Sequence, residues 1–352
     1  MKMDIFEISD AYFHSHPELV TSGWDSGLFR ADNNPFIRST QVDGKAYRTI
    51  QEKIVMYLTK NTGGINESIL VSGNLAAKVT LPGVSSVELH RHQYFELFGV
   101  LDGQLDVQME HTRKRYFPGD FCLMNQSVFH SEIYSGDFKA VYISIRPDFF
   151  EELMSSKESS HFETFTQFAK RNITEVYTED SLDFSPIRRN VTDNNAVQMN
   201  RILSELLNEL LERHTGYRDI VVGNLKRLFA HMQHTDNYSC VNTRYIAEKK
   251  SVNHDVLAYI HQNRRKITRR ELAAAMNYNS NYLADIFRKN MGISLSAYIR
   301  DICMQEAARL LLNTDLPIHV ITSSIGYENR TVFYQHFQEK YHMTPNQYRE
   351  SL

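Results

Sequence analysis

The sequence has few of the features that would place a protein in a membrane or outside the cell. Its three cysteines, Cys122, Cys240 and Cys303, lie far apart and form no CxxC pair. Scattered cysteines in odd number argue against a redox disulfide or a cysteine-based zinc site, and they favour a reducing compartment. The first residues, MKMDIFEISD, contain no apolar run of the kind that a signal peptide needs. No stretch approaches the ~18 uninterrupted apolar residues of a membrane span, so the sequence predicts a cytoplasmic protein with no membrane partner.

Net charge is also small, and its distribution is more informative than its total. Lys and Arg number 39 and Asp and Glu number 42, which gives a formal net charge of −3. The segment Asn253–Leu352 holds 12 basic and 9 acidic residues, a balance of +3, which leaves 27 basic and 33 acidic residues, a balance of −6, before it. A basic C-terminal module suits phosphate neutralisation, although +3 alone does not establish nucleic-acid binding.

The length of 352 residues fits two or three domains, and the first half is predicted to be mostly strands. In residues 1–65, an N-terminal extension of unclear fold, only one helix is predicted, over Lys45–Asn61, where apolar residues recur at helical spacing. From Ser68 to Pro147, short β-rich runs alternate with Pro-Gly, Asp-Gly and Ser-Gly turn signals. This pattern predicts a sandwich or barrel over residues 66–150, with the strands ending at Pro147.

A helical region is predicted over residues 151–240. The segment Asn194–His214 has a broad apolar stripe, and a second helix over Tyr217–His234 follows the Thr215-Gly216 break. The pair predicts a helical hairpin that either forms a dimer interface or packs onto its own barrel, because an apolar stripe does not reveal whose core it joins. The polar segment from Thr235 to Val252 has no periodicity and predicts a tether between domains.

The last hundred residues contain an internal repeat. Leu272 matches Ile321 at an offset of 49, and Phe287 matches Phe337 at an offset of 50 after a one-residue insertion in the turn. Each copy predicts a short helix, a turn and a longer helix, which are the proportions of a helix-turn-helix unit. The longer helices are predicted at about Ser280–Asn290 and Arg330–Tyr341.

The outward faces of these longer helices are the candidate DNA-binding surfaces, because their apolar residues face the core. Arg330 suits a bidentate contact with guanine and Gln335 suits adenine, whereas Arg288 and the cluster between Arg264 and Arg270 are placed for phosphates. A solvated helix face explains any one of these residues equally well, but not the doubled pattern. The predicted DNA-binding residues are Ser280, Asn281, Asp285, Arg288, Lys289, Arg330, Thr331, Tyr334 and Gln335.

The region from about Val252 to Leu352 closely resembles the AraC/XylS transcription regulators. The resemblance lies in the Ile before a Gly-aromatic turn, the Phe-x-x-x-Phe of the second long helix, and the closing Thr-Pro-x-x-Tyr-Arg that ends at Arg349. It implies a DNA-binding domain over residues 252–352, in which two helix-turn-helix units are joined by a helix over about Leu295–Leu312 and enter successive major grooves. Three positions depart from the family pattern, namely Cys303, Thr322 and His342.

The β-rich region resembles a cupin in two motifs. His90, His92 and Glu96 stand before Gly103, and a later Pro-Gly-Asp is followed by His130. The resemblance implies a small β-barrel, in which alternation along a strand turns His90 and His92 to one side. AraC-type sensor barrels often resemble cupins in these residues without holding a catalytic metal. The resemblance therefore implies that the four residues bind a small-molecule effector, with carbohydrate as the family analogy, or hydrogen-bond one another, and that no cofactor is bound. The alternative is a metal held by the same four residues.

These observations predict an α+β multidomain protein with an N-terminal cupin-like β-barrel, a helical hairpin and a C-terminal all-α double helix-turn-helix. The predicted function is sequence-specific regulation of transcription under effector control, without enzymatic activity. Predicted partners are double-stranded DNA, the effector and a second copy of the chain, with RNA polymerase as a further candidate. A metal-dependent cupin enzyme with an accessory DNA-binding tail and an architectural DNA-binder without an effector are the alternatives.

Overall fold

The chain folds into two compact units, a strand-rich one up to Tyr245 and a helical one from Val256. The computed structural model describes residues 4–22, 36–42, 45–50, 52–82, 85–87, 89–109, 112–155, 159–174, 178–187, 194–245, 256, 259–260, 263–291, 294–341 and 343–350. Each unit is described separately below.

The first unit contains two β-sheets. Their strands are β1 (Val20–Ser22), β2 (Ile37–Val42), β3 (Lys45–Ile50), β4 (Ile54–Thr62), β5 (Ile65–Ser72), β6 (Ala76–Pro82), β7 (His90–His92), β8 (Phe95–Gly103), β9 (Leu105–Met109), β10 (Arg113–Tyr116), β11 (Phe121–Met124), β12 (His130–Ile133), β13 (Phe138–Ile145), β14 (Glu179–Pro186) and β15 (Tyr238–Tyr245). The larger sheet has the order β1-β6-β5-β4-β13-β8-β11-β14-β15, and the smaller has the order β10-β9-β12-β7-β3-β2.

Helices cover one face of the larger sheet. They are α1 (Ile5–Ser15), α2 (Pro147–Met154), α3 (Glu163–Thr174), α4 (Asn194–Glu212) and α5 (Tyr217–Gln233). Along β8, Phe95 and Leu97 pack with the helices, whereas Phe98 and Val100 belong to a separate core with residues of both sheets. This alternation separates a helix-covered face from a barrel interior. The predicted strand-rich, cupin-like fold of the N-terminal half is confirmed.

The helix predicted over Lys45–Asn61 is wrong, because this segment forms β3 and most of β4. β4 lies between β5 and β13 in the larger sheet and is buried on both faces over most of its length. A strand with apolar residues on both faces has no clean alternation, so its apolar residues also satisfy a helical spacing. The helix of this region lies earlier, in α1, where Asp4 and Glu7 form a capping box.

The predicted end of the strands at Pro147 is also wrong. β14 pairs with β11 in register from Phe121 with Phe184, and β15 pairs with β14 along eight residues. The polar tether predicted from Thr235 therefore contains strand β15, and residues 246–252 lie outside the described residues. β15 is the last strand of its sheet order, and its mostly exposed residues gave no periodic signal.

The predicted helical hairpin is confirmed as α4 and α5. Its apolar stripe is buried in the core of its own unit, where Leu203, Leu206 and Leu207 are all 0% exposed. The stripe therefore packs onto its own barrel, and a dimer would have to use other residues. None of the helices in the described part of the chain has the length and apolarity that a bilayer-spanning segment needs.

The second unit is helical and confirms the predicted double helix-turn-helix. Its helices are α6 (Arg269–Met276), α7 (Ser280–Met291), α8 (Leu295–Asn313), α9 (Ile318–Ser324), α10 (Arg330–Tyr341) and α11 (Pro345–Glu350). α7 and α10 are the second, longer helices of the two helix-turn-helix units and are called the recognition helices below. α8 joins the two helix-turn-helix units. Of the residues that depart from the family pattern, Cys303 is fully buried in α8 and the Thr322 hydroxyl donates to the carbonyl of Ile318 at 2.8 Å.

Candidate functional site

The two helix-turn-helix units turn at equivalent backbone positions. Asn277, which ends α6, has φ 57°, and Gly326, which follows α9, has φ 78°. Both lie in the left-handed region, which favours glycine and, among other residues, asparagine. They are 49 residues apart, the offset of the sequence repeat. The doubled turn is therefore a property of the backbone as well as of the sequence.

Each recognition helix begins at an asparagine cap. The Oδ1 of Asn279 accepts from the backbone N–H of Asn281 at 2.9 Å, and the Oδ1 of Asn329 accepts from that of Thr331 at 2.9 Å. Such caps satisfy N–H groups that would otherwise lack an intrahelical partner. Both helices therefore start at defined residues, immediately before the side chains that are predicted to contact DNA.

The inward and outward faces of the recognition helices follow the prediction. Leu283 and Phe287 of α7 and Phe333 and Phe337 of α10 are at most 1% exposed. The outward side chains divide into exposed and half-buried ones. Asn281, Asp285, Arg288, Arg330, Thr331 and Gln335 are exposed, whereas Ser280 and Tyr334 are half-buried. Lys289 belongs to α7, but its side chain lies outside the described residues, and so does His342.

The exposed face of α10 is already ordered by contacts within the helix. The Nη2 of Arg330 donates to the Tyr334 hydroxyl at 3.2 Å, and the guanidinium lies 5.4 Å from the centre of the Tyr334 ring. The Nε2 of Gln335 donates to Glu339 Oε1 at 3.0 Å. These contacts hold long side chains at the start of the helix, where bases of a major groove would lie.

The basic cluster before α6 is partly engaged inside its own unit. Arg265 pairs with Glu271 at 2.5 Å, and Arg264 lies 3.5 Å from Glu306. Lys266 lies over the ring of Tyr327 at 5.2 Å. These neighbours occupy the charged groups of Arg264, Arg265 and Lys266, which were predicted to contact phosphates. Arg269 and Arg270 at the start of α6 are exposed and have no acidic partner among the described contacts.

The predicted effector residues lie in the interior of the barrel. His90 and His92 are on β7, Glu96 is on β8, and His130 is on β12, where it pairs directly with His90 across the sheet. Their exposed fractions are 1%, 2%, 5% and 0%. The structure therefore brings residues of both sheets together, since β8 belongs to the larger sheet and the other two strands to the smaller.

Two further interior residues were missed by the sequence. Glu132 is 5% exposed, and its Oε1 lies 3.8 Å from His130 Nε2. Its position two residues after His130 on one strand was an available signal, since alternate residues share a face. Arg48 of β3 donates from Nη1 to His90 Nε2 at 3.0 Å. No local signal identifies Arg48, because it arrives through the parallel pairing of β3 with β7.

Several interior atoms have no hydrogen-bond partner among the described residues. Among these atoms are His92 Nε2, Glu96 Oε2, His130 Nε2 and Glu132 Oε2. The Glu96 oxygen lies 3.6 Å from His92 Nε2 and 3.5 Å from His130 Nε2. Each of these imidazole nitrogens therefore faces a carboxylate oxygen at the limit of ordinary hydrogen-bond distance.

The four predicted residues do not converge as one metal-ligating set. The described residues contain two groups whose ligand atoms lie within 4.8 Å of one another, and His130 belongs to both. One group holds His90 and His92, and the other holds Glu96 and Glu132. A cation bound by the cupin set of four would therefore require a rearrangement.

Burial and neighbouring charges act oppositely on two interior histidines. Burial lowers the pKa of His92 well below its usual value, and the charges of His130 and Arg48 lower it further. Burial also disfavours protonation of His130, but the carboxylates of Glu96 and Glu132 outweigh burial and raise its pKa. Burial raises the pKa of Glu132. The pKa values of these two imidazoles are therefore shifted in opposite directions, downward for His92 and upward for His130.

Comparison with known proteins identifies both units. An AraC-like ligand binding domain matches residues 80–215, and a helix-turn-helix domain matches residues 272–351. The chain therefore carries an AraC-like ligand-binding domain followed by a helix-turn-helix domain, and the predicted resemblance to AraC-type regulators is confirmed at the level of these domains.

The similar proteins match different shares of this chain. HTH-type transcriptional regulator YtdP of Bacillus subtilis (strain 168) is 33% identical over 111 residues, which are 31% of this chain and 14% of the relative. The lactose operon transcription activator of Staphylococcus xylosus is 30% identical over 102 residues, 28% of this chain and 37% of the relative. A structure of ToxT from Vibrio cholerae is 12% identical, with TM-score 0.33, over 86% of this chain and 99% of that one. The chain thus covers less than two thirds of these curated relatives.

Proposed function

We propose that this chain, which carries the two domains of AraC-type regulators, binds specific DNA sequences and regulates transcription in response to a small molecule. The effector binds in the barrel, and the double helix-turn-helix reads an operator. The protein acts in the cytoplasm as a dimer and has no enzymatic activity, and RNA polymerase is its further partner at the promoter. The dimer interface lies outside the buried stripe of α4.

The observation that carries the DNA-binding proposal is the doubled recognition helix. Two helices of equal length start at asparagine caps, bury equivalent aromatic residues and expose polar side chains at their starts. In α10 the exposed set includes Arg330 and Gln335, whose fork and amide suit guanine and adenine. In α7 it includes Asp285, which repels phosphate and suits only a donor such as the cytosine amino group. The two helices therefore contribute unequally to base reading.

The effector proposal is supported by the buried polar set of the barrel. His92, Glu96, His130 and Glu132 present unpartnered atoms to one region of the interior. One relative is named for a lactose operon, which makes carbohydrates the first class of effector to screen. An effector at ~100 times its Kd adds ~2.7 kcal/mol to the free energy of unfolding. A thermal-shift screen of sugars therefore separates a sensor from an architectural DNA-binder.

A footprint on the DNA upstream of the chain's own gene tests the DNA-binding proposal. Two recognition helices in successive major grooves protect two stretches whose centres are about 10–10.5 bp apart on one face of the duplex. Substitution of Arg330 by Ala is expected to weaken the protection in one stretch only. Uniform protection that ignores sequence, or protection that Arg330→Ala leaves intact in both stretches, would contradict the proposal.

A further inference from the structure

The two sheets of the first unit end in four edge strands of unequal length. β1 has 3 residues, β10 has 4, β2 has 6 and β15 has 8. A strand at the edge of a sheet presents a row of unpaired backbone N–H and C=O groups, which favours pairing with another chain. β15 is the longest of these edges, and in the described part of the chain no strand pairs with its outer side.

β15 also lacks the features that usually protect a long edge, which are lysine, proline, a bulge or a cover. Its sequence, YSCVNTRY, contains neither lysine nor proline. Its pairing with β14 runs from Glu179 with Tyr245 to Pro186 with Tyr238 without a register shift. β10, by contrast, is short and has three basic residues in the sequence RKRY. The backbone edge of β15 is therefore regular and fits the addition of a further strand.

The middle of this edge is accessible. Ser239, Cys240, Val241 and Asn242 are all exposed. Val241 is the only aliphatic residue of the strand, and its side chain is 60% exposed. Burial of a valine against another apolar side chain is favourable, so a partner strand gains most where it covers Val241.

Charge favours a second copy of the chain in antiparallel orientation. Arg244 is the only residue of β15 that is charged at neutral pH. Parallel pairing in register would place two copies of Arg244 on neighbouring strands, about 4.8 Å apart. Antiparallel pairing centred on Val241 places Arg244 opposite Tyr238, six residues from its own copy. That separation is about 20 Å, well beyond the Debye length of about 8 Å at physiological ionic strength.

We propose that the chain dimerises through β15, with the β15 strands of two copies paired antiparallel across a two-fold axis at Val241. The inference rests on the dimer of the proposed function and assigns its interface. Val241 then meets its own copy, as a closed two-fold interface requires of the residue on its axis. The two nine-stranded sheets become one continuous sheet. Neither the buried stripe of α4 nor the recognition helices take part.

Sedimentation equilibrium of the full-length chain over a dilution series tests the interface. Val241→Lys places two ammonium groups opposite each other and is expected to weaken dimerisation at least about tenfold. Val197→Lys on α4 is the matched control, because it makes the same change at a side chain that is 64% exposed, and it should leave the dimer unchanged. Val241→Ile keeps the apolar pair and should dimerise like the wild type. A monomeric wild type, normal dimerisation of Val241→Lys, or equal weakening by Val197→Lys would overturn the proposal.

Cross-linking tests the register without a charged variant. Val241→Cys, in a Cys240→Ser background, brings two thiols together at the axis, because residues directly opposite each other in an antiparallel pair have Cβ atoms about 4.5–5.5 Å apart. The remaining cysteines, Cys122 and Cys303, are buried. A short bifunctional maleimide is expected to join two chains of Val241→Cys but not of Val197→Cys in the same background. Absence of the covalent dimer in the first variant, or equal yields in both, would contradict the pairing.

DNA binding of the same samples separates failure of the interface from failure of the proposed regulator. The affinities for the upstream DNA and for random DNA are measured for the wild type and for both lysine variants. A wild type that prefers the upstream DNA but dimerises equally well as Val241→Lys overturns the β15 interface alone. A wild-type dimer that Val241→Lys disrupts, but that prefers neither DNA, overturns the regulator alone.

Discussion

At the residue scale, the turn of the first helix-turn-helix unit depends on the backbone of Asn277. Its φ of 57° is energetically unfavourable for most residues that have a Cβ. Asparagine tolerates it better, because its short polar side chain can hydrogen-bond to the nearby backbone. At the matching turn, a Cβ on Gly326 would approach the backbone of Lys266 at 3.3 Å, which adds a steric reason for glycine. The first turn therefore tolerates glycine and asparagine, and the second glycine alone.

Substitution of Asn277 by Ala is expected to lower the free energy of unfolding of the second unit by about 1 kcal/mol, because alanine disfavours the left-handed region. The matched variant Asn277→Gly should stay within a few tenths of a kcal/mol of the wild type, since glycine adopts this conformation freely. Hydrogen exchange of the α6 and α7 amides measures both. Equal protection in the two variants would show that the turn does not need a left-handed residue.

Arg330 and Lys289 are expected to differ in what they contribute to DNA binding. Arg330→Ala should cost about 1–3 kcal/mol on the operator and relax preference at one base pair, because it removes a bidentate base contact. Lys289→Ala should weaken binding to all sequences alike, since a phosphate contact carries no sequence information. Fluorescence anisotropy on operator and random duplexes measures both effects.

Arg218→Ala, on α5 of the first unit, is the matched control for the loss of one arginine. It should leave both affinities unchanged, because Arg218 is not part of either recognition helix. Equal losses on operator and random DNA for Arg330→Ala would place Arg330 against the phosphate backbone and refute the predicted register of α10.

At the element scale, the α4–α5 hairpin is expected to act as part of the sensor core. Leu207 is 0% exposed and belongs to the cluster that includes residues of β5 and β8. Leu207→Ala should therefore lower the free energy of unfolding of the first unit by about 2–5 kcal/mol, because it leaves a cavity. Urea unfolding at several protein concentrations measures the loss.

The control for the hairpin is Val197→Ser on the same helix, where the side chain is 64% exposed. It is expected to change the stability by less than about 0.5 kcal/mol. If Leu207→Ala instead left the unfolding free energy of the monomer unchanged and altered only its dimerisation, the packing of α4 onto its own barrel would be contradicted.

The elements that sequence reasoning identified are those whose burial is one-sided. α4, α7 and α10 each bury one stripe and expose the rest, so their periodicity is visible in the sequence. β4 is buried on both faces and gives no alternation, which is why it was predicted as a helix. β15 is an exposed last strand, and its pairing with β14 across more than fifty residues is not encoded locally.

The residues of the candidate sites could likewise be predicted only where the local sequence determines their position. The recognition faces and the four cupin-type residues could be predicted, because motif spacing fixes their side of a helix or strand. Arg48 could not, since its contact with His90 depends on the parallel pairing of two strands from distant parts of the chain. That contact engages the Nε2 atom of one predicted imidazole, so the environment of the site required the structure.

At the scale of the whole molecule, regulation requires that the effector bind two arrangements of the protein with different affinity. The proposed effector site lies in the barrel and the proposed DNA-binding helices lie in the second unit, so the two proposed sites belong to separate units. By linkage, if the effector changes the affinity of the protein for the operator by some factor, bound operator DNA changes the affinity of the protein for the effector by the same factor.

We propose above that the chain recognises a specific DNA sequence through its doubled helix-turn-helix. The most direct test of this proposal is the affinity of the full-length chain for its own upstream DNA and for random DNA of equal length, measured over a series of salt concentrations. We expect a preference of several-fold or more for the upstream DNA, with a salt dependence that corresponds to several neutralised phosphates. Binding to neither DNA above background, or equal binding to both at every salt concentration, would contradict it.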